Sequence, residues 1–200
     1  MNTLDYYNEN ATAYYSNTVD ADVSALYAHF EPLLPKQASI IDVGCGSGRD
    51  SKHFLDAGFA VTPIDGSKEL CKLAESYLGI SVRCMLFNEL DYCSEFDAAW
   101  ACSSLLHVPK KDLPNIVRLI DRALKPGGAF YASFKYGENE RVVSGRSFSD
   151  FTEKNMVTLT ESAPDLSLHS YWISSDVRSD RGNEKWLNII WLKRETLQGD

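Results

Sequence analysis

One run constrains this chain more than any other: Asp42-Val43-Gly44-Cys45-Gly46-Ser47-Gly48-Arg49-Asp50, with glycine at alternate positions. It continues a short apolar run, Ser39-Ile40-Ile41-Asp42-Val43, and opens a helix-like segment, Arg49 to Ala57. Glycine lets a backbone turn sharply and approach a ligand with no Cβ in the way. The helix N-terminus behind such a loop presents unpaired N–H groups. About twenty residues further on, Asp65 closes a second apolar run, where a carboxylate can accept both hydroxyls of a ribose. The plainer alternative is a tight strand-to-helix turn that binds nothing. Alternate glycines are a costly choice for such a turn, which argues against it.

The spacing narrows the ligand. Dinucleotide loops read G-x-G-x-x-G and face a pyrophosphate. Here the run is G-x-G-x-G, with Asp42 two positions before the first glycine. A carboxylate there is poorly placed against a pyrophosphate and well placed against a cation, such as an amino group or a sulfonium.

Strand-like and helix-like runs alternate after residue 38. Ser39–Val43, Phe59–Ile64, Ile80–Leu86, Phe96–Ala101 and Ala129–Phe134 are expected strands. Arg49–Ala57, Lys68–Leu78 and Lys110–Leu124 are expected helices, stopped by Gly58, Gly79 and Pro126-Gly127-Gly128. A polar loop from Lys135 to Arg146 and a helix near Ser149–Glu161 follow. Two further strands, Leu166–Ser174 and Lys185–Leu192, are joined by a short turn-rich link containing Asp180-Arg181-Gly182-Asn183, so they must be antiparallel. The fold class is therefore α/β: a doubly wound, mostly parallel, seven-stranded sheet of Rossmann-like type ending in an antiparallel hairpin. Thr3 to Leu34 reads as two helices, from Tyr6, Tyr7, Ala11, Tyr14 and Tyr15 and then Val23, Leu26, Tyr27 and Phe30, with Pro32 and Pro35 as stops.

Composition bounds the partners. The 200 residues carry 20 basic and 28 acidic side chains, a formal charge of −8. That balance argues against DNA or an anionic membrane as partner, since both need an excess of Lys and Arg. No apolar run approaches a membrane span, and the polar start, Met1 to Tyr15, predicts no secretory leader. Cys45, Cys71, Cys84, Cys93 and Cys102 are scattered, with no zinc-type spacing to His29, His53, His107 or His169, so no metal is expected. Reduced thiols, mostly packed as small apolar residues, and a cytoplasmic location are expected. The length predicts one domain over residues 1–200, with 1–34 as appended helices and 35–200 as the sheet. Monomer and homodimer are both open.

The ordered motifs resemble class I S-adenosylmethionine-dependent methyltransferases, and in detail the small stand-alone bacterial members. They are Ile41 to Gly48, Ile64-Asp65-Gly66-Ser67, Phe96-Asp97, Leu105-Leu106-His107-Val108 and Leu124-Lys125-Pro126-Gly127-Gly128. The resemblance implies S-adenosylmethionine as cofactor, S-adenosylhomocysteine as product, and a small-molecule methyl acceptor. It implies that Asp42 and Gly44, Cys45, Gly46 and Gly48 hold the methionine part. Asp65 would take the ribose, with Gly66 and Ser67 beside the adenine, and Phe87, Ala101 and Cys102 would complete the adenosine pocket. Tyr7 and Tyr14, on a helix of Tyr-x-x-x-Ala-x-x-Tyr type, would close over the cofactor as a lid; ordinary apolar packing is the alternative. Many relatives read the adenine amino group with an Asp where this chain has Leu86, so Asn88, Glu89 or backbone would replace it.

Other residues face the substrate question. His107 follows the fourth strand and has the pKa of a general base; a structural, capping role is its alternative. Arg49 opposes the macrodipole of its helix, so it would pair with a cofactor carboxylate or with Asp50; a solvated side chain is the alternative. Lys135, Arg146 and Arg178 lie where substrate elements decorate such a sheet; plain solvation is the commoner reading of such loop charges, and their convergence would suit a polar or zwitterionic molecule with a carboxylate. Methylation of RNA or protein, cofactor binding without chemistry, and nicotinamide-dependent oxidoreduction remain alternatives. The Asn/Asp-Pro-Pro-Tyr/Phe motif of DNA amino-methyltransferases is absent; the chain reads Ala101-Cys102-Ser103-Ser104 there.

Overall fold

A computed structural model describes residues 2–178 and 183–195. The N-terminal segment forms three helices rather than two: α1 (Thr3–Glu9), α2 (Ala11–Thr18) and α3 (Ser24–Phe30). Asn2 and Asp5 cap α1 reciprocally, each side chain accepting the other's backbone N–H at 3.0 and 2.9 Å. Asn10 then breaks the expected first helix, because its side-chain amide donates to the Tyr6 carbonyl at 2.8 Å and competes with the helical ladder.

From there the alternation appears as β1 (Ser39–Val43), α4 (Arg49–Asp56), β2 (Ala60–Asp65), α5 (Lys68–Leu78), β3 (Arg83–Cys84), β4 (Phe96–Ala101), α6 (Leu113–Ala123) and β5 (Leu124–Lys135). The seven-stranded sheet completes with β8 (Leu166–Ser175) and β9 (Lys185–Lys193), in the order β3-β2-β1-β4-β5-β9-β8. Strands β1 to β5 pair in parallel, whereas β9 runs antiparallel to both β5 and β8. Chain order reverses between β1 and β4, and a crevice opens at the carboxyl ends of strands at such a switch point. The glycine run follows β1 and sits there.

Side chains alternate between the two faces. Ile41, Ala99, Phe130, Ile189 and Trp191 pack against α6 and against α7 (Glu153–Glu161). Ile40, Ala98, Trp100, Tyr131 and Ile190 pack against α4 and α3, where Phe30 and Phe54 are fully buried. Helix α3 is therefore part of the core, and the appended lid reduces to α1 and α2.

Three other expectations are corrected. The third strand shrinks from Ile80–Leu86 to Arg83–Cys84, because the Leu86 N–H donates to the Glu89 carboxylate at 2.7 Å and turns the chain. The supposed loop after β5 is a hairpin, β6 (Glu140–Val143) and β7 (Arg146–Ser149), turned by Ser144 and Gly145 at φ 51° and 81°. Two successive positive φ values match the twist of paired strands. Ser149 thereby belongs to a strand, and α7 starts only after Thr152, whose N–H donates to Asn155 Oδ1 at 3.1 Å. Of the expected turn in the final link, Asp180, Arg181 and Gly182 lie outside the described residues. Among the described residues, no helix is long and apolar enough to cross a membrane. Cys45 and Cys71 are buried, Cys102 is half-buried, and Cys84 and Cys93 are exposed, so the expected packing of the thiols holds for only part of the set.

Candidate functional site

Two cavities of about 550 and 580 Å³ open at the switch point, in the size range of small-molecule sites. The first is walled by the glycine loop, the end of β2, residues 85–88 and the lid. Gly44 has φ +85°, and a Cβ there would stand 2.5 Å from Ser104 Cβ. A Cβ at Gly46 would stand 3.2 Å from the Tyr14 ring. These two positions are glycine because Ser104 and the lid close against the loop. Gly48 (φ +84°) lines neither cavity; it precedes α4 and packs towards Ala74 and Leu78.

Asp65 lines the first cavity with Gly66, Leu86, Phe87 and Asn88. Its carboxylate accepts the Gly46 and Ser67 N–H groups at 2.9 and 2.8 Å, which fixes its orientation and leaves further lone pairs. Burial pushes its pKa up, and those backbone bonds oppose the shift. Several expected contacts move elsewhere. Asp42 is buried behind the loop, accepts from Ser51 Oγ at 2.6 Å and lines neither cavity. Burial and the nearby Asp50 carboxylate push Asp42 up, so its charge is not held out towards a ligand. Ser67 caps α5 and donates to Asn8 Oδ1 at 2.8 Å, anchoring α1 rather than lining the cavity. Ala101 is fully buried within the sheet. Cys45 and Cys102 line the second cavity instead, where burial pushes both thiols up. Glu89 is occupied with the Leu86 N–H, which leaves Asn88 as the polar side chain beside Leu86.

Tyr7, Tyr14, Gly44, Ser103 and His107 line both cavities, so the two spaces share a wall. At that wall the Tyr7 hydroxyl lies 2.7 Å from His107 Nε2, and His107 Nδ1 lies 2.6 Å from the Ser147 carbonyl. A carbonyl only accepts, so Nδ1 carries the proton, Nε2 is bare, and Tyr7 donates to it. Burial, with the Arg146 charge adding, lowers His107 to about 4 against the bond from Ser147. Burial raises Tyr7 to about 12, opposed by Arg146. The Tyr7 and Tyr14 rings meet edge to face at 5.1 Å.

The second cavity is the charged one. Arg49 is there, but it binds Asp50 through Nε and Nη2 at 2.6 and 3.0 Å. Asp50 also accepts from Tyr27 at 2.6 Å and Trp100 at 2.8 Å, tying α3 and β4 to the start of α4. Lys135, Arg146 and Arg178 do converge on this cavity. Lys135 pairs with Glu184 and lies over the Trp186 ring. Arg178 bonds Asp176 at 2.7 and 2.9 Å and, against burial, holds that carboxyl down at about 2. Arg141 and Ser103 also line it and were not anticipated; Arg141 sits on the hairpin mistaken for a loop, and Ser103 has φ +55°, which sequence does not announce. Leu4 and Met85 in the first cavity were likewise missed, as apolar residues with no pattern of their own.

Residues 40–128 match the methyltransferase domain family. A ubiquinone biosynthesis O-methyltransferase of Xanthomonas oryzae pv. oryzae is 37% identical over 103 residues, 48% of this chain and 42% of that protein. A putative methyltransferase of Bacillus subtilis is 31% identical over 135 residues, 62% of this chain and 53% of that protein. The chain thus spans about half the length of the curated relatives it matches. The Burkholderia thailandensis 1,6-didemethyltoxoflavin-N1-methyltransferase, solved with 1,6-didemethyltoxoflavin and S-adenosylhomocysteine, shares the fold: TM-score 0.72, 23% identity, 98% of this chain and 92% of that one. The domain match runs from β1 into the start of β5, the half of the sheet that carries the glycine loop, and over that stretch the chain is similar to methyltransferase domains.

Proposed function

We propose that this chain binds S-adenosylmethionine in the first cavity and methylates a small molecule seated in the second. The observation that carries the reading is the shared wall: two cavities of small-molecule size meet at Tyr7, Tyr14 and His107. Asp65 would accept the ribose hydroxyls, Asn88 would face the adenine edge in place of the missing acid, and Gly44 and Gly46 would admit the chain of the cofactor against backbone. When bound, the cofactor supplies an electrophilic methyl group and leaves as S-adenosylhomocysteine.

The protein's own part is to align, to exclude water and to take a proton. Helices α1 and α2 cover the wall, so the acceptor meets the methyl group away from solvent. The acceptor's proton would pass to Tyr7 Oη while the Tyr7 proton passes to His107 Nε2. His107 Nδ1–H stays on the Ser147 carbonyl throughout, which fixes the ring. Enclosure by the lid favours a small molecule over RNA or protein, and the Xanthomonas and Burkholderia proteins are a ubiquinone biosynthesis O-methyltransferase and a 1,6-didemethyltoxoflavin-N1-methyltransferase.

Calorimetric titration with S-adenosylhomocysteine and with NADH tests the reading. Binding of S-adenosylhomocysteine, weakened about 10- to 100-fold in Asp65→Ala by loss of charge-assisted hydrogen bonds, is expected. Binding of NADH with none of S-adenosylhomocysteine would sink it.

A further inference from the structure

Resting on the reading of the second cavity as the acceptor site, we infer that the methyl acceptor carries a carboxylate and that Arg146 binds it. The cavity is lined by the cations Arg49, Lys135, Arg141, Arg146 and Arg178. Four of them have an acid partner: Asp50, Glu184, Asp150 and Asp176 respectively. Among the described residues, no carboxylate pairs with Arg146. Aromatic rings hold it instead, with its guanidinium carbon 4.4 Å from the Tyr6 centroid and 5.2 Å from that of Phe148. Ring faces attract a cation without neutralising it. Its Nε is moreover buried with no hydrogen-bond partner, and buried donors are left unmatched only rarely.

Among the described residues, one uncompensated positive charge therefore remains in the cavity of a chain whose formal charge is −8. It stands beside the proton-handling pair, since its charge acts on both Tyr7 and His107. A guanidinium fork matches the two oxygens of a carboxylate. A single unmatched cation suits a monoanion; a phosphate monoester, closer to −2 at neutral pH, needs more positive charge or a nest of backbone N–H groups. Phe148, Trp186, Leu106 and Val143 supply apolar wall to the same cavity. The acceptor is thus a small carboxylate with an apolar body, anchored at Arg146 so that its hydroxyl, the group that must lose a proton, reaches Tyr7. The carboxylate itself is not methylated.

The test uses tritiated-methyl S-adenosylmethionine and a low-molecular-weight cell extract, with products separated on an anion exchanger. The expected labelled product is retained at neutral pH, released when carboxylates are protonated, and unaffected by phosphatase. Arg146→Gln should raise the KM for that product's parent about 10- to 100-fold and leave S-adenosylhomocysteine affinity intact. Arg146→Lys, which keeps the charge and loses the fork, should fall between the two. A labelled product that is neutral, cationic or phosphatase-sensitive overturns the inference, as does an unchanged KM in both variants. If Arg146→Gln does not fold, Arg146→Lys alone decides through its KM. Failure of the wild-type chain to bind S-adenosylhomocysteine overturns the methyltransferase reading itself; binding without any labelled product overturns the acceptor reading alone.

Discussion

His107 gives the sharpest physical test of the wall between the cavities. Burial lowers it to about 4 from an ordinary 6.5, with the Arg146 charge pushing the same way and the Ser147 carbonyl resisting. A depression of that size corresponds to about 3 kcal/mol of preference for the neutral ring in the folded chain. The folded value lies below the unfolded one, so this stability is fully present above pH 6.5. As pH falls from 6.5 towards 4, the unfolded histidine takes a proton that the folded one refuses, and the contribution is lost. Urea unfolding at half-unit steps from pH 8 to pH 4, on the wild type and on His107→Phe, isolates it. Many carboxylates titrate in the same window, but they cancel in the difference between the two curves. The wild type should lose about 3 kcal/mol more than the variant across that window. Parallel curves would refute the assignment of a neutral, Nδ1-protonated ring. The same assignment places the acid limb of turnover nearer pH 4 than pH 6.5.

Two further outcomes follow from packing. Gly44→Ala puts a Cβ 2.5 Å from Ser104 Cβ at φ +85°, and left-handed strain plus overpacking should cost about 2–5 kcal/mol, a fall in Tm of roughly 5–15 °C; an unchanged Tm would mean that Ser104 yields freely. Asp50→Asn leaves Arg49 without its counter-ion and breaks a carboxylate that accepts from Arg49, Tyr27 and Trp100. It should destabilise the chain by about 3–5 kcal/mol in urea unfolding, and a loss under 1 kcal/mol would show that the network is dispensable.

The half of the fold that carries the glycine loop and the first cavity was legible because its signals are local. Lys68–Leu78 and Phe96–Ala101 appear with the boundaries that spacing implies, since Ser67 and Gly79 cap the one and turns flank the other. Gly44, Gly46, Asp65, Tyr7 and Tyr14, each marked by a local motif, do line one cavity. What was not readable depends on contacts between distant segments. The β6–β7 hairpin turns at Ser144-Gly145, a pair whose meaning depends on the strands around it. The proton position on His107 is set by a carbonyl forty residues later. Asp42 reads as a loop carboxylate facing a cation, yet Ser51, one turn into α4, draws it inward. Arg49 and Arg146 look alike in sequence, and only the placement of Asp50 separates a satisfied cation from an open one.

The hairpin grips the site through main chain at one residue. The Ser147 N–H donates to Thr3 Oγ1 at 3.0 Å, seating α1, while its carbonyl holds His107 Nδ1. Neither contact uses the Ser147 side chain. Neighbouring hairpin positions such as Val143 are therefore at liberty to exchange side chains and redraw the second cavity, whereas Arg146 is not, since its charge acts on Tyr7 and His107. Lid seat and proton position, written into the backbone, would survive such exchanges, so the lining of the second cavity can diverge while the α1 seat and the His107 tautomer are inherited unchanged.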